Sequence, residues 1–199
     1  MADRRDRPST FSIILQSANP VFIAVAVFLP IGALIIFMNT GPVSALNYVH
    51  IMAGALWTGI DLFMGFVLGP VLGSMEPKGR ADVFRRLIPK MTFLMPVLAA
   101  VTITSGIELS QRLGLASFSN LSGSLSDPWI IAAAIVAALL SIQGFGLLLP
   151  NEIRVFKQLV SDIPDINRIS RLGMTNAKLG GLQGLFQLAI IFIMANIRF

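Results

Sequence analysis

The 199 residues are 55% hydrophobic and only 13% charged, with a mean hydropathy of +0.79, which excludes a soluble domain with an ordinary polar surface. The formal charge of +5 does not imply nucleic acid, because the basic residues flank apolar runs and do not interleave with aromatics on one face. The lack of cysteine excludes disulfides, thiolate metal ligands and iron–sulfur clusters.

Along the chain, residues 1–19 begin with Arg4, Arg5 and Arg7 and turn apolar at 11–15, which predicts a short helix on the inner membrane surface. Five apolar runs then reach the ~20 residues needed to cross a bilayer core: about 20–38, 45–75, 90–109, 128–149 and 179–196. With no water in the hydrocarbon to satisfy backbone groups, each should be a helix. Residues 1–7, the first run and Val43-Ser44-Ala45 mimic a cleavable signal peptide. The run is longer than the roughly 7–15 residues of an h-region, however, and reads as a retained span. Pro20, Pro30, Pro70 and Pro96 lie at or within spans, where kinks are tolerated if neighbouring groups satisfy the freed carbonyls. Residues 114–126, rich in Ser and Gly, read as a mobile outer loop, and Asp127-Pro128 opens the fourth helix with Trp129 at interface depth. Residues 151–178 read as an amphipathic elbow, continuing the fourth helix through Ile153, Phe156, Val160 and Ile163 and restarting near Pro164-Asp165.

Thirteen of the 15 Lys and Arg residues fall at the N-terminus, in 78–90 and in 154–178; Arg112 and Arg198 fall on the other side. The positive-inside rule then places the N-terminus in the cytoplasm and Phe199 outside. The predicted fold is an all-α integral membrane protein of five transmembrane helices, with helices two to five forming a four-helix bundle. Residues 1–19 are its cytoplasmic segment and 20–199 a single transmembrane domain. Small residues four apart, Gly65, Gly69 and Gly73 on the second helix and Gly180 and Gly184 on the fifth, predict close helix packing.

The candidate site centres on the second helix. At 100° per residue, His50, Trp57 and Asp61 share one stripe over about 16 Å of axis. His50 is the single histidine, and an Asp at mid-membrane costs roughly 3 kcal/mol on insertion scales, which marks Asp61 as a functional candidate. Glu108, near the outer end of the third helix, is placed to pair with His50, fixing its tautomer and raising its basicity; otherwise both simply face water and headgroups. Thr102, Gln143 and Gln187 reach a depth comparable to Asp61. That cluster is either a proton relay or ligand site, or a hydrogen-bonded knot that fixes helix register. Met91 and Met95 share a face at the inner end of the third helix, and Met75 lies at a similar depth; thioethers bind Cu(I) and haem iron but are also ordinary membrane core. Zinc spacings, phosphate loops and serine-nucleophile motifs are absent.

The run Leu46-Asn47-Tyr48-Val49-His50, continuing to Trp57-Thr58-Gly59, resembles the "LH-x6-W-x-G" helix of the CopD-like membrane superfamily, which includes copper-resistance D-type proteins and HemJ-type protoporphyrinogen oxidases. Phe84-Arg85-Arg86-Leu87, then Met95-Pro96 and Ser105-Gly106, is similar to the superfamily's "RRL…P…G" segment, and the end of the last helix, Phe192-Ile193-Met194, is similar too. The likeness spans about 45–199, with the first helix an addition. It implies haem b on His50; the leading reading is haem b or another redox cofactor held there, with electron or proton transfer across the bundle and Trp57 and Glu108 as further cofactor-binding candidates. A Lys that HemJ members carry early in the next-to-last helix has no counterpart in Trp129-Ile130-Ile131-Ala132-Ala133-Ala134. One His per chain would require a homodimer for bis-His ligation. The alternative is a non-catalytic subunit of a larger membrane complex, or a small transporter. The expected location is a prokaryotic inner membrane, with the lipid bilayer as principal partner.

Overall fold

The computed structural model describes residues 18–116 and 127–197. Among these the chain forms five helices long and apolar enough to cross a membrane: α1 Pro20–Asn39, α2 Val43–Ser74, α3 Pro77–Arg112, α4 Pro128–Leu159 and α5 Ile166–Ala195. The predicted surface helix at 11–15 and most of the 114–126 loop lie outside the described residues.

The helix starts follow local chemistry. Asn19 caps α1 through Oδ1, which accepts from the Val21 N–H at 3.0 Å, and Asp127 does the same for Trp129 at 2.8 Å. Pro20, Pro77 and Pro128 each occupy a first helical position, where a missing N–H costs nothing. The restart expected near Pro164-Asp165 is made by Asp165, whose Oδ1 accepts from the Arg168 N–H at 2.9 Å. Arg80 ends α2 from the next helix: its guanidinium donates to the carbonyls of Met75 and Gly73 and to the Ser170 hydroxyl on α5.

α3 is longer than predicted, beginning at Pro77 and not near 90, and α5 runs unbroken from the expected restart into the span predicted from 179, while α4 stops at Leu159, short of Val160 and Ile163. The hydropathy window stops where Arg and Lys begin, but the helices continue because Ala81, Phe84, Ile88, Val155, Phe156 and Ile169 bury one apolar cluster at the basic end of the bundle. Gly173 lets α5 lie flat on this cluster; a Cβ there would fall 2.4 Å from the Phe84 ring. A second cluster at the opposite end joins Leu34, Leu46, Val49, Ala53, Leu98 and Leu109, among others.

α2 packs on α3 and α5, and α4 on α5, while α1 lies along α3 and touches α2, so helices α2–α5 form the bundle and α1 is appended. The α2–α5 crossing is a backbone contact. A Cβ on Gly65 would fall 2.2 Å from Gly181 Cα, and one on Gly184 would fall 2.7 Å from the Leu62 side chain. Gly65 and Gly184 thus belong to the expected seam and Gly181 joins it. Gly73 is looser, with its nearest neighbour 3.9 Å away.

Two wide π turns interrupt the regular winding, Phe63–Leu68 in α2 and Gly144–Leu148 in α4. Each stops just before a proline, Pro70 or Pro150, whose ring would otherwise strike the carbonyl four residues back; a wider turn makes room for it. Both turns contribute to the wall of the cavity described next.

Candidate functional site

Between the two apolar clusters, every helix of the α2–α5 bundle contributes to a polar layer. Its centre is Asp61, 3% exposed. Gln183 and Gln187, one turn apart on α5, both donate Nε2–H to Asp61 Oδ2 at 3.1 Å. The approach is close because α5 presents glycine here: a Cβ on Gly180 would sit 3.3 Å from Asp61 Oδ1. Committing both amide nitrogens to Asp61 leaves the buried Oε1 atoms of Gln183 and Gln187 without partners. Among the described residues no basic side chain pairs with Asp61.

Asp61 forms one wall of a cavity of about 60 Å³. Glu152 of α4 lines it too, together with Asn176 and Gln183 of α5. Asn176 donates Nδ2–H to the Leu148 carbonyl at 3.1 Å, a carbonyl in the π turn of α4, and its buried Oδ1 has no partner. The remaining wall is apolar: Trp57, whose indole faces the Asp61 carboxyl, with Met64, Met91, Met95 and Phe145. Glu152 has Thr92 of α3 beside it. Such a space holds several water molecules, since one needs only about 10–15 Å³ on this measure.

His50 stands apart from this cavity. Its Nδ1 lies 2.9 Å from the Thr102 carbonyl and 3.1 Å from Ser105 Oγ. A carbonyl oxygen only accepts, so Nδ1 carries the proton and Nε2 keeps a free lone pair. The ring packs closely on α3 at Gly106, where a Cβ would fall 2.9 Å from Cε1.

The expected groupings are therefore redrawn. Trp57 and Asp61 meet at one cavity, but His50, two turns away, does not line it. The expected His50–Glu108 pair is not made. Arg112, one turn along α3, takes the Glu108 carboxylate in a 2.7 Å ion pair and also donates to the carbonyls of Met38 and Gly41, tying the α1–α2 turn to α3. Thr102 serves His50 with its carbonyl and spends its hydroxyl on the Leu98 carbonyl at 2.7 Å, so it is not a partner of Asp61. Gln143 is buried but donates to the Leu179 carbonyl at 2.8 Å, fastening α4 to α5. Of the expected polar cluster, Gln187 alone bonds Asp61. Met91 and Met95 line the cavity, whereas Met75 packs against the apolar cluster at the basic end. Gln183, Asn176 and Glu152 are the residues that sequence reasoning missed. Gln183 and Gln187 form an i, i+4 amide pair in the otherwise apolar stretch 179–195, a signal that was available for the first.

No family model matches this chain, and no curated protein or solved structure matches it either.

Proposed function

We propose that this chain is an integral membrane protein that passes protons through its helical bundle, with Asp61 as the deepest station and Glu152 as the station nearer the basic end. The observation that carries this reading is the Asp61 carboxyl, almost fully buried, without a counter-charge among the described residues, on the wall of a cavity of about 60 Å³ that it shares with a second carboxyl. A buried carboxyl without a basic partner must hold a proton or take up a cation, and each exchange moves charge along the cavity. The thirteen basic residues at one side set the orientation, with the N-terminus in the cytoplasm. A reporter fused after Phe199 is then extracytoplasmic, and a cytoplasmic signal refutes that topology. The function is tested by purified protein in liposomes carrying a pH-sensitive dye under a potassium-driven voltage. Proton entry above that of protein-free vesicles supports the relay, and entry unchanged by Asp61→Asn in a protein that still melts normally overturns it.

A second reading is favoured by the His50 geometry. With Nδ1–H engaged by the Thr102 carbonyl, Nε2 is the ring atom prepared to bind iron, as an axial ligand of haem b requires. The residues present fit the iron but not an enclosed macrocycle: the cavity of about 60 Å³ is far below the ~300 Å³ of a small cofactor pocket, and His50 does not line it. A haem would be held between two copies of the chain, each supplying His50, and would add electron transfer to the bundle. A Soret band in the detergent-extracted protein that disappears in His50→Ala supports this reading; colourless protein purified from haem-supplemented cells excludes it.

A further inference from the structure

We propose that the cavity beside Asp61 binds a small primary alkylammonium ion, its charged head among the oxygens of Asp61, Glu152, Gln183 and Asn176 and its alkyl part against Trp57, Met91 and Met95. This rests on the reading of the cavity as the working site and names the class of ligand it takes.

The polar wall has a surplus of acceptors. Gln183 is 98% buried, and its amide nitrogen is spent on Asp61, so Oε1 looks for a donor it does not have. Asn176 repeats the pattern, with Nδ2 spent on the Leu148 carbonyl and Oδ1 left over. Two carboxyls add further acceptors, and among the described residues no Lys, Arg or His lines the space. The complement of such a wall is a positively charged group with several N–H bonds. An ammonium head brings three donors and a charge. Water alone brings as many acceptors as donors and no charge, and an anion would face two carboxyls with nothing to hold it.

The apolar wall chooses among cations. An indole and a phenyl ring present negative π faces, and three thioethers present soft, polarizable surface. A bare hard cation seeks a shell of oxygens and leaves those surfaces unmatched, whereas a short alkyl chain covers them. Volume favours a small ion, since about 60 Å³ leaves little room for a bulky quaternary one. Both π turns supply wall residues, Met64 from one and Gly144, Phe145 and Leu148 from the other, so the irregular winding of α2 and α4 converges on this space.

The chain carries its own probe. Trp57 lines the cavity, and the second tryptophan, Trp129, packs edge-on against Phe192, so Trp129→Phe leaves Trp57 as the single indole. That full-length variant in lipid nanodiscs is titrated with propylammonium chloride, with sodium chloride and tetrapropylammonium chloride in parallel at matched ionic strength. A saturable change in Trp57 emission with propylammonium only is expected. Glu152→Gln and Asp61→Asn should each weaken it by roughly tenfold or more, the worth of a hydrogen bond to a charged group. If Asp61→Asn does not fold, Glu152→Gln decides alone. An equal response to sodium, no response, or a response that both variants leave unchanged overturns the assignment. Proton entry measured on the same preparation without amine separates the two ideas. Flux without amine binding overturns the ammonium site and leaves the relay; amine binding without flux overturns the relay and leaves the site.

Discussion

His50 and Asp61 stand on one stripe of α2, eleven residues apart, and the helices opposite them make two different places. Opposite His50, α3 offers the Thr102 carbonyl, the Ser105 hydroxyl and the bare backbone of Gly106, so one ring nitrogen is satisfied and the ring is held close. Opposite Asp61, α5 offers two amide side chains over Gly180, and satisfying the carboxyl strands the amide oxygens. The first place is a fixed imidazole with one free lone pair. The second is a cavity with unmet hydrogen-bond demand. A shared stripe does not make a shared site; what packs across from each residue does.

The comparison breaks most severely at the α2–α5 seam. Gly65→Leu would force side-chain atoms into the Gly181 backbone, and the expected destabilisation is at least about 3 kcal/mol, seen as aggregation or loss of a cooperative melt in detergent. Gly73→Ala serves as the contrast, because its nearest neighbour is the flexible end of Met174, and it should melt close to wild type. If Gly65→Leu also melts like wild type, the seam does not hold the Asp61 side together.

Asp61→Asn tests what the carboxyl is for. Asn keeps the shape and an acceptor for Gln183 or Gln187 but cannot exchange a proton, so proton entry should fall to the protein-free level while the melting temperature stays within a few degrees. Retained flux with intact stability would instead make Asp61 a structural knot.

His50→Ala sharpens the separation of the two places. Losing the hydrogen bond to Thr102 should cost about 1–2 kcal/mol in thermal unfolding, and proton entry should persist because His50 does not line the cavity. Flux abolished by this change would join the two places into one pathway.

The smallest effect is expected at Glu108. Its partner Arg112 keeps two backbone carbonyls, and both side chains of the pair are partly exposed, so Glu108→Gln should change stability by less than about 1 kcal/mol. Any haem absorbance should be unaltered, and a clear loss of it would restore Glu108 as a partner of His50.

Composition and length alone make helices of the five apolar segments of spanning length, because they leave the backbone no other way to satisfy itself in lipid. The amino-acid sequence also sets the cap residues Asp127 and Asp165, the close-packing role of Gly65 and Gly184, and the singular positions of His50 and Asp61, all of which depend on neighbours within one helical turn or on residue type alone. Rotation and depth of one helix against another were decided only in three dimensions. Glu152 read as part of a cytoplasmic elbow; α4 continues through Pro150 as the spacing predicts, but its π turn and its packing bring that carboxyl to the cavity. Glu108 read as a neighbour of His50, yet an arginine four residues away on its own helix captures it. Gln183 and Asn176 show the same limit: their residue types signal polarity, but which of their atoms is satisfied depends on which helix passes within hydrogen-bonding distance, a fact of packing that spacing along the chain does not encode.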